Sequence, residues 1–268
     1  MRIGLLITAR LKSSRLPFKL LRDLNGYSII EHVINRSKHL YGADEIVLCT
    51  STNPQDKPLV DVAKNNDIFY YLGSEEDVLK RLLDAAIFFN YDYVICITGE
   101  NPLYSIEYAN QIIDKVKREK PDFITIEGLP IGCAVYALNV KALKTICEIK
   151  QEVDTEIWGP LFNRPEIFNI QKIEADSFFT RPQLRLTNDY PEDFHLMSKI
   201  FNNFPCKSTP SLHSALEILD ENPELLQLNS MRVQASLDDE TINRINSFFI
   251  ENHDRIIDLK NKIYNNDI

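Results

Sequence analysis

Four cationic side chains fall within ten residues near the start of the chain: Arg10, Lys12, Arg15 and Lys19. The hydroxyl groups of Ser13 and Ser14 lie between them, and Pro17 restricts the backbone before Lys19. Concentrated positive charge, with the forked donors of arginine, suits a polyphosphate. A basic turn of this kind can also be an ordinary solvated loop, so charge alone leaves both interpretations open.

Two acidic positions are candidates for binding a metal ion. Glu100 follows Thr98 and Gly99 at the end of an apolar run, where a carboxylate suits a hard cation that bridges phosphate oxygens. A solvated loop glutamate is the alternative. Asp189 precedes Pro191, and this pattern also predicts a helix start with Asp189 as its N-cap.

Several classes of protein are excluded by composition. The eight glycines are scattered and form neither GxGxxG nor a Walker A motif, which argues against dinucleotide dehydrogenases and P-loop NTPases. The five cysteines are dispersed without CxxC pairs, as in a reducing compartment without a zinc site. A net charge of -9 argues against a nucleic-acid partner. Since no apolar run has the length of a signal core or a membrane span, we expect a soluble cytoplasmic protein.

Apolar runs alternate with amphipathic segments through the first two-thirds of the chain. Predicted strands cover residues 2–8, 45–50, 68–71, 93–98 and 123–126, and predicted helices cover residues 28–40, 56–65, 76–89 and 105–117. Continuous apolar strands indicate a mostly parallel Rossmann-like sheet with helices on both faces, that is, an α/β fold. Ligands of such sheets bind at the carboxyl ends of strands, where residues 8, 50 and 98 lie.

The alternation weakens after residue 140. A helix is predicted at residues 140–149, strand-like segments at 168–173 and 185–187, and mostly helix from Pro191 onward. We therefore predict an α/β domain over residues 1–205 and a helical C-terminal extension over residues 206–268 packed on the same core.

Residues 9–19 and 24–36 closely resemble the start of the cytidylyltransferase family, with charged, proline and glycine positions in register. That family includes CMP-Kdo synthetase, CMP-N-acylneuraminate synthetase and the spore coat polysaccharide biosynthesis protein F group. Further similarity at residues 50–56, 72–81 and 210–229 extends over nearly the whole chain and is closest to the spore coat group. The resemblance implies a fold of the nucleotide-diphospho-sugar transferase type.

The resemblance also implies roles for individual residues. Arg10, Arg15 and Lys19 are expected to be catalytic by holding a triphosphate. The expected nucleotide-binding residues are Thr8, Ala9, Arg10, Ser13, Ser14, Arg15, Lys19, Thr98 and Gly99. Glu100 and Asp189 match the two family positions that bind Mg²⁺, although the first is an aspartate in the family. The longer glutamate implies either a shifted ion or a weakened site.

The resemblance breaks where the acceptor should bind. Residues 130–136 lack the acidic residue that the spore coat group carries after its Pro-x-Gly turn, and residues 154–162 replace the Arg-Glu-His-x-Thr-Pro-Tyr of that group. We expect Trp158, Glu156 and Arg185 to contact the acceptor, because mixed polar and aromatic residues often line ligands. A tryptophan beside Gly-Pro is also typical of core packing.

The expected activity is Mg²⁺-dependent transfer of CMP from CTP, or a nucleotide from another NTP, to a small anionic acceptor with release of pyrophosphate. The expected acceptor is a sugar acid or a sugar or polyol phosphate, and the product would be used in surface polysaccharide or glycoconjugate biosynthesis. We also expect a homodimer without nucleic-acid or membrane partners. One alternative is a non-catalytic nucleotide-binding homologue with a degraded metal site at Glu100. Another is a nucleotide-sugar-dependent glycosyltransferase, which the lack of an Asp-x-Asp motif disfavours.

Overall fold

A seven-stranded sheet forms the centre of the molecule in the computed structural model, which describes residues 1–265. The strands are β1 (Ile3–Thr8), β2 (Asp23–Leu24), β3 (Tyr27–Ser28), β4 (Glu45–Ser51), β5 (Phe69–Gly73), β6 (Tyr93–Thr98), β7 (Phe123–Glu127), β8 (Tyr136–Asn139) and β9 (Ile170–Glu174). The order across the large sheet is β5-β4-β1-β6-β8-β7-β9, and β2 and β3 form a separate hairpin. In the described sheet only β8 runs antiparallel to its neighbours, so the predicted mostly parallel α/β fold is confirmed.

Helices cover both faces of this sheet. They are α1 (Ile29–Ser37), α2 (Lys57–Asn65), α3 (Val78–Phe88), α4 (Ile106–Glu119), α5 (Val140–Ile149), α6 (Gly159–Phe162), α7 (Pro191–Phe201), α8 (Leu212–Glu221), α9 (Asp239–Glu251) and α10 (His253–Asn265). Short 3-10 turns occur at Lys19–Leu21, Pro54–Asp56 and Pro223–Gln227. Helix α1 begins with a capping box: the Ser28 side chain accepts from the Glu31 backbone N–H, and the Glu31 side chain accepts from the Ser28 backbone N–H. This confirms Ser28 as the predicted N-cap.

Successive residues of the central strands enter different cores, as the side-chain alternation of a strand requires. Leu5 and Ile7 of β1 pack with α1, α2, α4, α7 and α8, whereas Leu6 packs with α3, α5, α9 and α10. All three side chains are fully buried. This arrangement explains why the strands read as continuous apolar runs.

The C-terminal part of the chain contributes to both cores. Leu216 of α8 is buried on the first face, and Phe249 of α9 on the second. Lys260 and Tyr264 of α10 donate hydrogen bonds to Asp122 (2.9 and 2.5 Å) just before β7. The chain from residue 206 onward is therefore packed against the sheet, and a domain boundary at residue 205 stays a prediction.

Three strand assignments differ from the sequence-based expectation. The β2–β3 hairpin was not predicted, because its two-residue strands form no apolar run. β8 was not predicted, because its four residues lead without a break into α5. The predicted strand at residues 185–187 is wrong: Arg185 forms only an isolated bridge with Ile131. Among residues 1–265, no helix combines the length and the apolar character needed to cross a membrane.

Candidate active site

The basic loop leaves the carboxyl end of β1, beside the ends of two other parallel strands. Thr8 lies next to Cys49 of β4 and Thr98 of β6. The backbone N–H of Leu11 donates to the buried carboxylate of Asp56 at 2.7 Å. That bond ties the loop to the segment that follows β4.

A tight turn brings the end of the loop back toward the sheet. Phe18 has a φ of 52°, a left-handed conformation that is uncommon for a bulky residue. The backbone N–H of Lys19 donates to the carbonyl of Leu16 at 3.2 Å. Lys19 then starts a 3-10 turn with its side chain only 12% exposed.

The first two cations of the loop meet acidic segments from other parts of the chain. Arg10 donates to the carbonyl of Glu75 at 2.5 Å and to the carboxylate of Glu156 at 3.1 Å. Lys12 lies 3.4 Å from the carboxylate of Glu75. Ser13 accepts a hydrogen bond from the Leu16 backbone, and Ser14 is exposed.

Arg15 lies over the ring of Tyr190. Its guanidinium carbon is 4.8 Å from the ring centroid, and Nη1 donates to the Tyr190 hydroxyl at 3.1 Å. Asp189 is 3.7 Å away. Burial alone lowers the pKa of Arg15, but the Tyr190 hydrogen bond and the Asp189 charge outweigh it and raise the pKa.

Lys19 stands between the two predicted metal ligands. Its ammonium group is 2.9 Å from Asp189 and 3.9 Å from Glu100. Burial lowers the pKa of Lys19, but the charges of the two carboxylates outweigh it and the pKa is raised. The two acids, 89 residues apart in the chain, thus converge on one cation.

A glycine brings Glu100 to this position. The Gly99 N–H donates to the carbonyl of Thr8 at 2.8 Å, and a Cβ at Gly99 would approach Ile30 to 2.8 Å. A larger residue there would displace the Ile30 side chain of α1 and press on Ala9 of the basic loop, whose Cβ is 3.2 Å away. Burial raises the pKa of Glu100, and the charge of Lys19 opposes this shift.

Asp189 is not the N-cap of the following helix, so that prediction is wrong. The N-cap of α7 is Tyr190, and the carboxylate of Asp193 accepts from the N–H groups of both Asp189 and Tyr190 (3.1 Å each). The Asp189 carboxylate is thereby left to pair with Lys19. Burial raises the pKa of Asp189, but Lys19 outweighs burial and the pKa is lowered.

Arg185, expected at the acceptor, lies beneath the site instead of on its surface. Its side chain is 4% exposed, and its guanidinium bonds Asp193 (3.1 Å), Asp189 (3.3 Å) and Gln234 (2.7 Å). With its donors engaged in this way, Arg185 supports the loop that carries Asp189. An acceptor contact by Arg185 stays a prediction that this burial does not favour.

The other two expected acceptor residues are in different surroundings. Trp158 is partly buried and packs edge-on against Phe123, Tyr136 and Phe162, at the border of the core beside β7 and β8. Glu156 is 65% exposed and faces Arg10. Of the three, only Glu156 presents a free surface beside the basic loop, and the acceptor roles of all three stay predictions.

Two buried residues that support the site were not among the predicted site residues. Asp193 is fully buried and accepts from Asn229 at 2.8 Å as well as from Arg185. Arg81 of α3 is 1% exposed and donates to the carbonyl of Ser74 at 2.7 Å. The acidic first turn of α7 is a sequence signal that could have identified Asp193 as a helix-start residue. No local sequence pattern indicates that an arginine such as Arg81 is buried.

The two carboxylates fit a cation that is shared with phosphates. Among residues 1–265 there is no group of three or more His, Cys, Asp or Glu side chains that could hold a metal ion. Mg²⁺ usually takes only one or two protein carboxylates and completes its shell with water and substrate phosphates. Glu100 and Asp189, converging on the ammonium group of Lys19, suit such an ion.

The chain is similar in sequence and in fold to known proteins. The chain is 26% identical over 226 residues to the spore coat polysaccharide biosynthesis protein SpsF of Bacillus subtilis, covering 82% of this chain and 94% of that protein. A cytidylyltransferase structure from Leptospira borgpetersenii superimposes with a TM-score of 0.78 at 23% identity, covering 89% of this chain and 100% of the other.

A second structure, CMP:2-keto-3-deoxy-manno-octonic acid synthetase complexed with CTP, gives a TM-score of 0.62 at 15% identity over 76% of this chain and 99% of the other. Both of these structures have the same fold as this chain. The sequence profile of the cytidylyltransferase family matches residues 5–242. The chain therefore belongs to the cytidylyltransferase family and is a nucleotidyltransferase.

Proposed function

We propose that this protein is a CTP-dependent cytidylyltransferase that transfers CMP to a small anionic acceptor and releases pyrophosphate. The observation that carries the proposal is the convergence of Arg15 and Lys19 with Glu100 and Asp189 at the carboxyl ends of β1 and β6. The choice of cytosine is supported by family membership and by the structural neighbour that was solved with CTP.

The basic loop would hold the triphosphate. Arg10, Arg15 and Lys19 present positive charge from one short segment, and each is now paired with a carboxylate that a triphosphate would replace. An acceptor oxygen attacks the α-phosphorus, the bond from that phosphorus to the bridging oxygen breaks, and pyrophosphate leaves with that oxygen. Positioning and charge stabilisation supply most of the catalysis in phosphoryl transfers of this type.

Glu100 and Asp189 would hold Mg²⁺. When bound, the ion neutralises charge on the phosphate oxygens. The protein's own contribution is to hold the two carboxylates close together, and Lys19 favours the ionised form of Asp189 by lowering its pKa.

The acceptor is proposed to bind near residues 154–158. Glu156 is exposed there beside Arg10, while Trp158 shapes the wall behind it. A sugar acid or a sugar or polyol phosphate fits an anion-binding loop, and the name of the Bacillus subtilis relative supports a role in polysaccharide biosynthesis. A homodimer in the cytoplasm remains part of this proposal.

Calorimetric titration with CTP separates the enzyme from a non-catalytic binder. If Glu100 and Asp189 hold Mg²⁺ on the triphosphate, omission of Mg²⁺ should weaken CTP binding at least about tenfold. Equal affinity with and without Mg²⁺ would instead support a nucleotide-binding homologue with a lost metal site. UTP, GTP and ATP titrated in parallel test the choice of base.

A further inference from the structure

A segment of the C-terminal region contacts residues beside the site while it crosses from one face of the sheet to the other. Residues 228–238, here called the crossing segment, join the 3-10 turn after α8 to α9 and form neither helix nor strand. The two elements that the segment connects belong to opposite cores. Its contacts with Arg185, Asp193 and Tyr190 bear on the chemistry, because these residues adjoin Asp189 and Arg15.

Three side chains of the crossing segment bind the loop that carries Asp189. Asn229 donates to Asp193 at 2.8 Å, and Gln234 accepts from Arg185 at 2.7 Å. Arg232 forms a bidentate pair with Glu192 in the first turn of α7 at 3.1 and 2.6 Å. The first two contacts are to buried partners, whereas Arg232 lies at the surface with its side chain 39% exposed.

Arg232 also reaches the phosphate loop through one aromatic ring. Its guanidinium carbon is 4.6 Å from the centroid of Tyr190, and that of Arg15 is 4.8 Å from the same centroid. Arg15 also donates to the hydroxyl of Tyr190. Three guanidinium groups therefore lie near this ring: those of Arg15 and Arg232, and, farther away at 5.8 Å, that of the buried Arg185.

We propose that Arg232 is a positioning residue for Arg15, acting through Tyr190; the proposal rests on the proposed function, in which Arg15 binds the triphosphate. Glu192 fixes the plane of the Arg232 guanidinium, and the guanidinium in turn restricts the Tyr190 ring. The ring and its hydroxyl set the position of Arg15, whose side chain is otherwise 40% exposed. The C-terminal region thereby completes the nucleotide site.

The matched control is Arg181, which forms the same kind of contacts elsewhere. It makes a bidentate pair with Asp220 (2.5 and 2.8 Å) and lies 5.3 Å from the Phe178 ring centroid. Its partners are Asp220 and Phe178, not residues of the phosphate loop. R181A therefore removes an arginine pair and a ring contact of comparable exposure without touching Arg15 or Tyr190.

The test is steady-state pyrophosphate release with CTP and Mg²⁺, together with CTP affinity by calorimetry. R232A should raise the KM for CTP about five- to tenfold and change kcat less than about twofold, because a loosened Arg15 weakens nucleotide binding throughout the reaction. R232K, which keeps a cation over the ring, should recover part of the loss. R181A should match the wild type.

A double-mutant cycle shows whether Arg232 acts through Tyr190. In a Y190A background, R232A should add no further rise in KM, because the ring that connects it to Arg15 is gone. If the effects of R232A and Y190A on KM multiply, the two residues act independently and the proposal is overturned. It is also overturned if R232A behaves like R181A while the wild type is active. A wild type that neither binds CTP nor releases pyrophosphate would overturn the proposed function and this inference together.

Discussion

Arg15 is the residue on which the proposed chemistry depends most directly. It is the most exposed of the three cations expected to be catalytic and the one held by both a ring and a carboxylate. R15A should lower kcat/KM for CTP at least about a hundredfold with an unchanged circular dichroism spectrum, since it removes a charged donor from the triphosphate. R118A, a change at an exposed arginine of α4, is the control, and normal activity in R15A would remove the loop from the mechanism.

Glu100 provides a second test at the scale of single residues. E100Q keeps the size of the side chain but removes its charge, so the Mg²⁺ dependence of CTP binding should largely disappear. E100D restores the aspartate of the resembling family and should retain that dependence. The exposed E107Q serves as control, and an E100Q protein that still responds fully to Mg²⁺ would contradict the assigned role.

Residue types were easier to predict than their surroundings. The cations of the loop and the two acids were identified from the sequence, and the structure brings Lys19, Glu100 and Asp189 together. The predicted cap at Asp189 was wrong because Asp193, at the third helical position, accepts from the N–H groups of Asp189 and Tyr190. The burial of Arg185 depends on Gln234 and Asp193, and contacts of that range leave no local signature.

At the scale of elements, Arg36 joins the loop after β6 to the start of α8. From α1 it donates to the carbonyls of Pro102 (2.7 Å), Tyr104 (3.3 Å) and Pro210, and it is 1% exposed. Burial lowers the pKa of Arg36 to about 10, so it stays charged at neutral pH. A buried cation satisfied by carbonyls is a strong constraint on the loop that carries Glu100.

R36M should lower the free energy of unfolding by about 3 kcal/mol or more, because three buried carbonyls lose their donor. Urea denaturation measures this change. R118M, the same substitution at an exposed helical arginine, should change stability by less than about 0.5 kcal/mol. If R36M also lowers the free energy of unfolding by less than about 0.5 kcal/mol, the three carbonyls must find other donors.

Element boundaries followed the strength of the local pattern. The strands β1 and β6 and the helix α1 with its Ser28 cap were predicted well, because continuous apolar runs and a capping box are local signals. β8 was missed because a short strand before a helix lacks such a signal, and its antiparallel direction depends on pairing with β6 and β7.

At the scale of the whole molecule, the burial of the five cysteines provides a test of the packing of the two cores. Cys49, Cys96 and Cys133 are buried, and burial raises their thiol pKa values, that of Cys49 to about 12. Cys147 is partly buried with a pKa raised by burial to about 12, and Cys206 is exposed. A thiolate is the reactive form, so these environments should differ widely in reactivity.

Labelling with a chromogenic disulfide at pH 8 should show one fast thiol, that of Cys206, with Cys147 slower. Cys49, Cys96 and Cys133 should react only after unfolding in denaturant. The C206S variant should lose the fast phase and nothing else. Fast reaction of the three buried thiols in the native protein would contradict the two packed cores.

The fold class was predictable because the alternation of strand and helix, with strands apolar on both faces, has few solutions. The path of residues 228–238 beside the site was not, since no motif in that segment indicates what it contacts. The contacts of Arg232 with Glu192 and Tyr190 emerge only once both faces of the sheet are assembled.

The most direct test of the account is pyrophosphate release by the purified protein with Mg²⁺, measured for four NTPs against a panel of sugar acids and sugar or polyol phosphates. The account predicts release with CTP and at least one anionic acceptor, and loss of that release in R15A. No release from any nucleotide with any acceptor across the panel would contradict it.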